Sequence, residues 1–134
     1  MEKTNFNEIS DVFETGTELN IGLFPNKNIL KYGFSCVDNE LSLYLQAHQD
    51  EIINIIKNYV DKNKQINFYK WSSKGMVSGE GVVKILETKE EKINGLTIII
   101  KQQTGNDKEI TFDENVFNNL FLFKITVENL YKMY

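Results

Sequence analysis

Hydrophobic residues alternate with polar or small ones along much of the chain, which is the period of β-strands. The pattern is clearest between residues 29 and 37, where one face holds Leu30, Tyr32, Phe34 and Cys36. After a polar turn at residues 37–40, the leucines at 41, 43 and 45 repeat it, so residues 29–46 are predicted to form a β-hairpin. Further strands are predicted at residues 18–24, 66–71, 76–86 and 121–128.

A helical period replaces the alternation in two longer segments. Starting at Asp50, the predicted N-cap, an amphipathic helix is indicated by the stripe Ile52, Ile53, Ile56, Tyr59 and Val60. The sequence Thr88-Lys89-Glu90-Glu91 fits a capping box, which predicts a second helix that ends at Gly105 and buries Ile93, Leu96 and Ile100. Short helices are predicted at residues 5–14, ended by Gly16, and at residues 113–120, and Pro25 marks a turn.

The order of these elements indicates the fold class. About six strands with inserted helices, and no regular β-α-β alternation, argue against a parallel sheet. We therefore expect an α+β fold, built as a closed or nearly closed antiparallel β-barrel with peripheral helices. The 134 residues suit a single domain, residues 1–134, with one hydrophobic core.

Composition narrows the function classes. The net charge of −4 argues against a general nucleic-acid binder, and no apolar run approaches the ~18 residues of a membrane span. The first residues lack an apolar signal segment and the chain has one cysteine, so we expect a cytoplasmic protein in a reducing compartment. All fifteen basic residues are lysines, which excludes a bidentate guanidinium clamp on a phosphate.

Two residues with reactive side chains give little support for catalysis. The single histidine, His48, cannot complete a zinc site with one cysteine, and no G-x-S-x-G pattern supports a histidine-dependent nucleophile. His48 is either a polar loop residue, which we favour, or an anion contact near the start of the helix at Asp50. Cys36 shares the hydrophobic face of its strand, so we expect a small buried residue.

Two other places allow both a structural and a functional interpretation. Gly79 and Gly81 lie two residues apart in a strand, where they indicate either a bulge, which we favour, or backbone packed against a flat ring. Trp71 ends a strand and is followed by two serines and Lys74. It is either an aromatic residue at the barrel rim or the border of a ligand site.

The order of the elements and four short stretches resemble a known family. The stretches are Tyr32-Gly33-Phe34, the Gly-x-Gly tract of residues 78–92, the Thr-Gly turn at residues 104–105 and the closing strand at residues 123–130. Over roughly residues 8–131 the chain resembles the flavin-mononucleotide-binding split barrels of the pyridoxamine-phosphate-oxidase type. The likeness is greatest to their nitroimidazole-resistance and general-stress-protein branch.

This resemblance implies a Greek-key split barrel and a homodimer that holds FMN in clefts between its subunits. It implies a small oxidoreductase of unknown substrate, with no metal site. Carried over residue by residue, it implies ring contacts from Lys31, Tyr32, Gly33 and Phe34, phosphate contacts from Gln46, Ala47 and His48, and further contacts from Trp71 and Ser73 on the adjoining strand.

The segment from Gln46 to Glu51 departs from the family pattern, in which a Ser or Thr and a following Lys grip the flavin phosphate. Here the Lys is missing and two acids are present, so Lys31, Lys70 or Lys74 would have to compensate. Two alternatives therefore stay open. One is a relative that has lost FMN and serves as a non-enzymatic binding or interaction module; the other is an unrelated barrel for a small ligand.

Overall fold

The computed structural model describes residues 2–14, 18–23, 28–37, 42–105 and 114–132. Its strands are β1 (Glu2–Lys3), β2 (Glu18–Leu23), β3 (Asn28–Val37), β4 (Ser42–Ala47), β5 (Gln65–Ser72), β6 (Gly75–Leu86) and β7 (Phe121–Lys132). Its helices are α1 (Phe6–Glu14), α2 (Asp50–Lys62), α3 (Lys89–Thr104) and α4 (Glu114–Asn119). Every predicted strand and helix is present, and the short β1 was not predicted. The turns predicted at Gly16, Pro25 and residues 37–40 lie outside the described residues, apart from Val37.

Six of the strands close into a barrel. Neighbours around the ring are antiparallel and follow the order β7-β4-β3-β2-β5-β6, and β6 pairs with β7 to complete the circle. The connection from β4 through α2 passes both β3 and β2, because β5 lies beside β2, and this gives a Greek-key topology. The expected α+β antiparallel barrel with peripheral helices is confirmed.

Strand β3 is shared unevenly between its neighbours, which gives the barrel its split. Residues Asn28–Gly33 pair with β2, whereas residues Phe34–Val37 pair with β4. The two sides of the ring, β2-β5-β6 and β4-β7-β6, are thus joined through opposite halves of β3. This division reappears on the outer surface of the barrel.

The interior of the barrel is the main hydrophobic core. Side chains that are at most 2% exposed come from several strands, among them Leu19, Ile21, Leu43, Leu45, Phe68 and Phe123. Helix α1 contributes Ile9, Val12 and Phe13 to the same cluster, and α2 contributes Ile56 and Tyr59. The hydrophobic stripes that predicted these two helices are therefore the surfaces that attach them to the barrel.

Helix α2 begins one residue earlier than predicted, at Asp50 itself. The N-cap is Gln49, which has an extended backbone and makes no capping hydrogen bond with its side chain, while Asp50 is already helical. The prediction of Asp50 as the N-cap is therefore wrong. Its carboxylate lies in the first turn with Glu51, where both charges interact favourably with the positive end of the helix dipole.

Helix α3 packs on the outside of the barrel. Its predicted capping box is confirmed: the Thr88 hydroxyl accepts a hydrogen bond from the Glu91 N–H at 3.1 Å, and the Glu91 carboxylate accepts one from the Thr88 N–H at 3.2 Å. Gly105 ends the helix with a φ of 72°, a conformation that favours glycine. A second hydrophobic cluster joins the helix to the sheet and contains Tyr44, Leu86, Leu96, Ile99 and Leu122. Within the described ranges, no helix has the length and apolar run needed to cross a membrane.

The two strand glycines of β6 allow backbone and side chains to approach closely. A Cβ on Gly79 would lie 2.4 Å from the Phe68 ring, and a Cβ on Gly81 would lie 2.3 Å from the carbonyl oxygen of Thr126. The register with β7 shifts between Glu80 and Gly81, which marks a bulge. The favoured structural interpretation is confirmed, and the flat ring that Gly79 approaches is the protein's own Phe68.

Candidate functional site

The outer surface of the barrel has two parts that differ in what covers them. The covered face lies beneath α3, whose main contacts are with β3, β4, β6 and β7. The open face is the outer side of β2, β5 and the first half of β6, and consists of Glu18, Asn20, Gly22, Asn67, Tyr69, Trp71, Met76, Ser78 and Glu80. Every one of these residues except Asn20 is exposed or half-buried. The open face is therefore an accessible outer surface of the barrel.

The strand registers bring several of the predicted site residues together at the edge of the open face. Asn20 of β2 is flanked by Tyr69 of β5 and Lys31 of β3, and Glu18 lies opposite Gly33. Continuing the same registers by one or two residues places Trp71 beside Glu18 and Gln46 beside Gly33. Adjacent strands are about 4.8 Å apart, so Trp71 and Gly33 are separated by roughly 10 Å across the sheet.

The residues predicted to contact the flavin ring lie in β3, where their backbone pairing is described. Tyr32 pairs with Leu19 and Phe34 pairs with Leu45, and both leucines are fully buried. Lys31 and Gly33 pair with Asn20 and Glu18, which belong to the outer side of β2. The register therefore places the backbone of Lys31 and Gly33 beside two residues of the open face, and the backbone of Tyr32 and Phe34 beside two buried leucines.

Trp71 is the exposed large hydrophobic residue of the described chain. Its side chain is 64% exposed, although it lies near the end of a strand in a well-packed barrel. The following two-residue turn contains the exposed Ser73 and Lys74; the Ser72 hydroxyl accepts a hydrogen bond from the Lys74 N–H at 3.0 Å, and Gly75 has a φ of 137°. The turn holds the indole at the rim beside two hydroxyl groups and a lysine.

The segment predicted to hold the phosphate is split between core and surface. Gln46 is half-buried on the outer side of β4, Ala47 is 3% exposed in the core cluster, and His48 is exposed in the link to α2. Only the backbone of Ala47 could therefore contact a ligand on the outer surface. The carboxylates of Asp50 and Glu51 follow at once, and their charge weakens this position as a phosphate site.

Of the three lysines considered as phosphate ligands, Lys70 lies inside the barrel. It follows Ile66 and Phe68 on the inward side of β5, pairs with the fully buried Val77 and is 3% exposed. Burial lowers the pKa of its ammonium group, and the charge of Glu18 opposes this shift. Lys70 is thus excluded as a ligand at the outer surface, whereas Lys74 is exposed in the turn after β5.

A hydrogen-bonded group at the border of β6 and β7 was not predicted from the sequence. The Glu80 carboxylate accepts hydrogen bonds from the Asn129 amide at 2.9 Å and from the Tyr131 hydroxyl at 3.3 Å. Desolvation, together with the charge of Glu80, raises the pKa of Tyr131. The register of β6 with β7 brings these residues together, and no short motif could have linked them.

Asn20 is the other residue that sequence reasoning missed. Its side chain is 8% exposed, and its Oδ1 has no hydrogen-bond partner in the structure. Ser42, 1% exposed, carries a second such atom, Oγ, and lies on the outer side of β4 with Tyr44 of the covered face. An unpaired buried acceptor costs about 1–3 kcal/mol of stability, so both positions require an explanation.

A groove of about 720 Å³ forms a rival site between α2 and the junction of α4 with β7. Its walls carry three carboxylates, from Asp50, Asp61 and Glu87, and two lysines, Lys57 and Lys92. The Lys57 ammonium lies 5.8 Å from the centre of the Phe121 ring. None of the residues predicted for flavin binding lines this groove, and its excess of carboxylates disfavours a phosphate.

Comparison with known proteins identifies the fold. No family model and no curated protein matches the sequence. Among solved structures, a candidate 5-nitroimidazole antibiotic resistance protein from Bacteroides thetaiotaomicron superimposes with a TM-score of 0.71 at 16% identity, covering 92% of this chain and 80% of that one. A candidate pyridoxamine 5'-phosphate oxidase from Listeria innocua gives 0.67 at 15% identity, with 95% and 96% covered.

A FAD-binding protein from Mesorhizobium loti also matches, with a TM-score of 0.62 at 12% identity over 96% of this chain and 94% of that one. The resemblance that the sequence predicted is confirmed as a likeness of fold. At these identities the shared fold, and not a shared chemistry, is what the comparison establishes.

Proposed function

We propose that the protein binds FMN on the open face and acts as a small oxidoreductase whose substrate is undetermined. The observation that carries the proposal is the 64% exposure of Trp71 on the open face, in register with the backbone of Gly33 and next to the row of Asn20 and Lys31. A flat, exposed sheet bordered by an indole can stack a planar ring. The similar structures, which include a FAD-binding protein, support a flavin as that ring.

The residues of the open face fit the ring of FMN better than they fit its phosphate. Tyr69 and Trp71 offer aromatic surface, and Asn20 and Ser78 offer polar groups that can bond the edge of a ring. For the phosphate, the chain offers Lys31, Lys74, Ser73 and His48, against the charges of Asp50 and Glu51. We therefore expect most of the affinity to come from the ring, and riboflavin to bind within about tenfold of FMN.

A bound flavin would supply the electron or hydride transfer. The part of this chain would be to bind and orient the ring and to restrict its access to water. We further propose that two copies pair through their open faces and that the flavin lies in the cleft between them. An exposed tryptophan among half-buried residues is typical of a surface that becomes covered on association.

Titration with FMN and with riboflavin tests the proposal directly. The purified protein is examined for flavin absorbance, and then each flavin is added while the fluorescence of Trp71, the only tryptophan, is followed. We expect saturable quenching by both compounds. A colourless preparation that ignores both flavins at micromolar and higher concentrations would eliminate the flavoprotein.

Paired variants distinguish the open face from the groove. Trp71→Ala should weaken FMN binding about tenfold or more, measured by flavin absorbance, because stacking on an aromatic side chain is worth about 1–3 kcal/mol. Lys57→Ala, in the wall of the groove, should leave the affinity unchanged. The reverse result would move the flavin to the groove. Sedimentation analysis of the same two variants tests the proposed dimer.

The second candidate function is a non-enzymatic binding or interaction module. The two acids at the start of α2 and the missing Lys of the phosphate segment favour it. On this alternative the open face meets another macromolecule and not a flavin. A preparation that ignores flavins but loses its self-association when Trp71 is replaced by Ala would support it.

A further inference from the structure

Asn20 is a buried polar residue in the middle of an accessible face. It lies between Leu19 and Ile21, which point into the core, and its own side chain belongs to the outer side of β2 between Tyr69 and Lys31. Along the strand its outer neighbours are Glu18, which is exposed, and Gly22, which is half-buried. It is nevertheless 92% buried, and its Oδ1 lacks a partner.

Such an arrangement lowers the stability of the isolated chain. A leucine or valine at this position would avoid the unpaired acceptor, and β2 already carries such residues on its other side. A buried polar atom without a partner calls for an explanation, and a bound water, ion or ligand that supplies the missing bond is one. The site proposed for the flavin ring surrounds Asn20, so a ligand there is the natural source of that bond.

The chemistry of an amide matches one edge of the flavin ring. The pyrimidine edge of isoalloxazine presents an N3–H donor flanked by two carbonyl acceptors, and a carboxamide offers one acceptor and one donor in the complementary order. Rotating the amide by 180° exchanges Oδ1 and Nδ2 with little change of shape, so either group can face the ligand. The opposite edge of the flavin, which carries two methyl groups, offers nothing to an amide.

We propose that Asn20 binds the pyrimidine edge of the flavin and thereby selects planar rings with a carbonyl–NH–carbonyl edge. This inference rests on the proposed function and goes beyond it, because it assigns the orientation of the ring on the open face. Asn20 is a binding residue in this account, with no part in proton or electron transfer. Asn20 lowers the stability of the empty protein but allows it to recognise the flavin.

A comparison of riboflavin with 3-methylriboflavin tests the inference without altering the protein. Methylation removes the N3–H donor and leaves the ring system and the ribityl chain unchanged. The wild-type protein should bind the methylated compound about tenfold more weakly, as measured by flavin fluorescence. Asn20→Leu should bind riboflavin about tenfold more weakly than the wild type, and should bind both compounds equally.

The melting temperature of the flavin-free protein is a second readout. If Asn20 had a purely structural role, Asn20→Leu would lower this temperature, whereas a binding role predicts that it rises. Asn20→Leu should raise the melting temperature without flavin by about 4 °C, since it removes the unpaired acceptor. Ser42→Ala is the matched control, because it removes the other unpaired buried atom but lies on the side of Tyr44. It should raise stability as well and leave flavin affinity unchanged.

The possible failures can be told apart. If the wild type binds neither riboflavin nor FMN, the proposed function itself is wrong. If the wild type binds riboflavin and 3-methylriboflavin equally, or if Asn20→Leu binds riboflavin as tightly as the wild type does, the flavin site stands and the role of Asn20 is wrong. A loss of both melting temperature and binding in Asn20→Leu, without discrimination by the wild type, would make Asn20 a structural residue.

Discussion

The covered face and the open face belong to one barrel and share strand β6, yet they are built for different partners. On the covered face, Tyr44, Leu86 and Leu122 pack against Leu96 and Ile99 of α3. On the open face, polar and aromatic side chains alternate around an exposed tryptophan, and α1, which contacts β5 and β6, packs through Ile9, Val12 and Phe13 on the core cluster. The first surface is completed within the chain, whereas the second is suited to a ligand or another molecule.

The boundary between the two faces lies at the bulge opposite Glu80 and Gly81, where β7 carries one extra residue, Glu128. Before it, Met76, Ser78 and Glu80 point to the open side, and after it Leu86 joins the cluster beneath α3. The close approach of Gly81 to the Thr126 carbonyl oxygen holds β6 against β7 at this point. Both faces therefore depend on the bulge, and changes there should have the largest effect.

Replacing Gly81 by Ala should disrupt both faces together. The new Cβ would lie 2.3 Å from the Thr126 carbonyl oxygen, which is backbone and cannot turn away, so strands β6 and β7 would have to separate. We expect a loss of about 3 kcal/mol or more in the free energy of unfolding, measured by urea denaturation, or a failure to fold.

Gly22→Ala is the matched control for this prediction. A Cβ at Gly22 would come no closer than 3.9 Å to any atom, so the variant should be neutral or slightly stabilising. A Gly81→Ala protein as stable as the wild type would show that the bulge is not needed, and the comparison of the faces would lose its boundary.

Truncation of one large side chain on each face measures the difference between them. Leu96 of α3 is 6% exposed where the helix packs on the covered face, and Leu96→Ala should lower the free energy of unfolding by about 2–3 kcal/mol. Trp71→Ala should change it by less than about 0.5 kcal/mol, because the indole is 64% exposed.

The two variants should rank in the opposite order when flavin affinity is measured. Trp71→Ala should weaken FMN affinity, and Leu96→Ala, studied at a temperature where it is folded, should not. Circular dichroism during urea denaturation gives the stabilities, and flavin absorbance gives the affinities. Equal destabilisation by both variants would mean that the indole is packed within the folded protein, contrary to the distinction between the faces.

Much of the fold was predictable because its signals are local. Alternation identified the six barrel strands, and the capping box located the start of α3. The N-cap of α2 was misplaced by one residue, since both Gln49 and Asp50 are polar and their backbone angles cannot be read from sequence. The buried position of Lys70 was also predictable, because it continues the inward alternation of Ile66 and Phe68. Its charge, however, favoured a position at the surface.

The candidate site was less predictable, because it depends on residues distant in sequence. Glu80 bonds Asn129 and Tyr131, which follow it by 49 and 51 residues, and only the register of β6 with β7 unites them. Asn20 looks like an ordinary exposed position of an alternating strand, and nothing local in the sequence indicates that it is buried where β2 pairs with β3 and β5. Pairing between strands, which sequence periodicity does not specify, is what assembles the open face.

The smallest effect concerns how the covered face responds to acid. The pKa of Glu91 is lowered to about 2, chiefly by the hydrogen bond from Lys84 at 2.7 Å and then by the N–H of Thr88. Since the folded-state pKa lies below the ordinary value of 4.5, ionised Glu91 stabilises the fold fully above about pH 4.5, and this contribution is lost as the pH falls toward about 2.

Glu91→Gln should therefore lower the melting temperature slightly at about pH 6, and the difference from wild type should shrink at about pH 3. Glu90→Gln, in the same turn but outside the capping box, is the matched control. The ion pair of Lys84 and Glu91 joins β6 to α3 on the covered face, so flavin binding at the open face should be the same in both variants. A loss of flavin affinity in Glu91→Gln would mean that the two faces are coupled through β6.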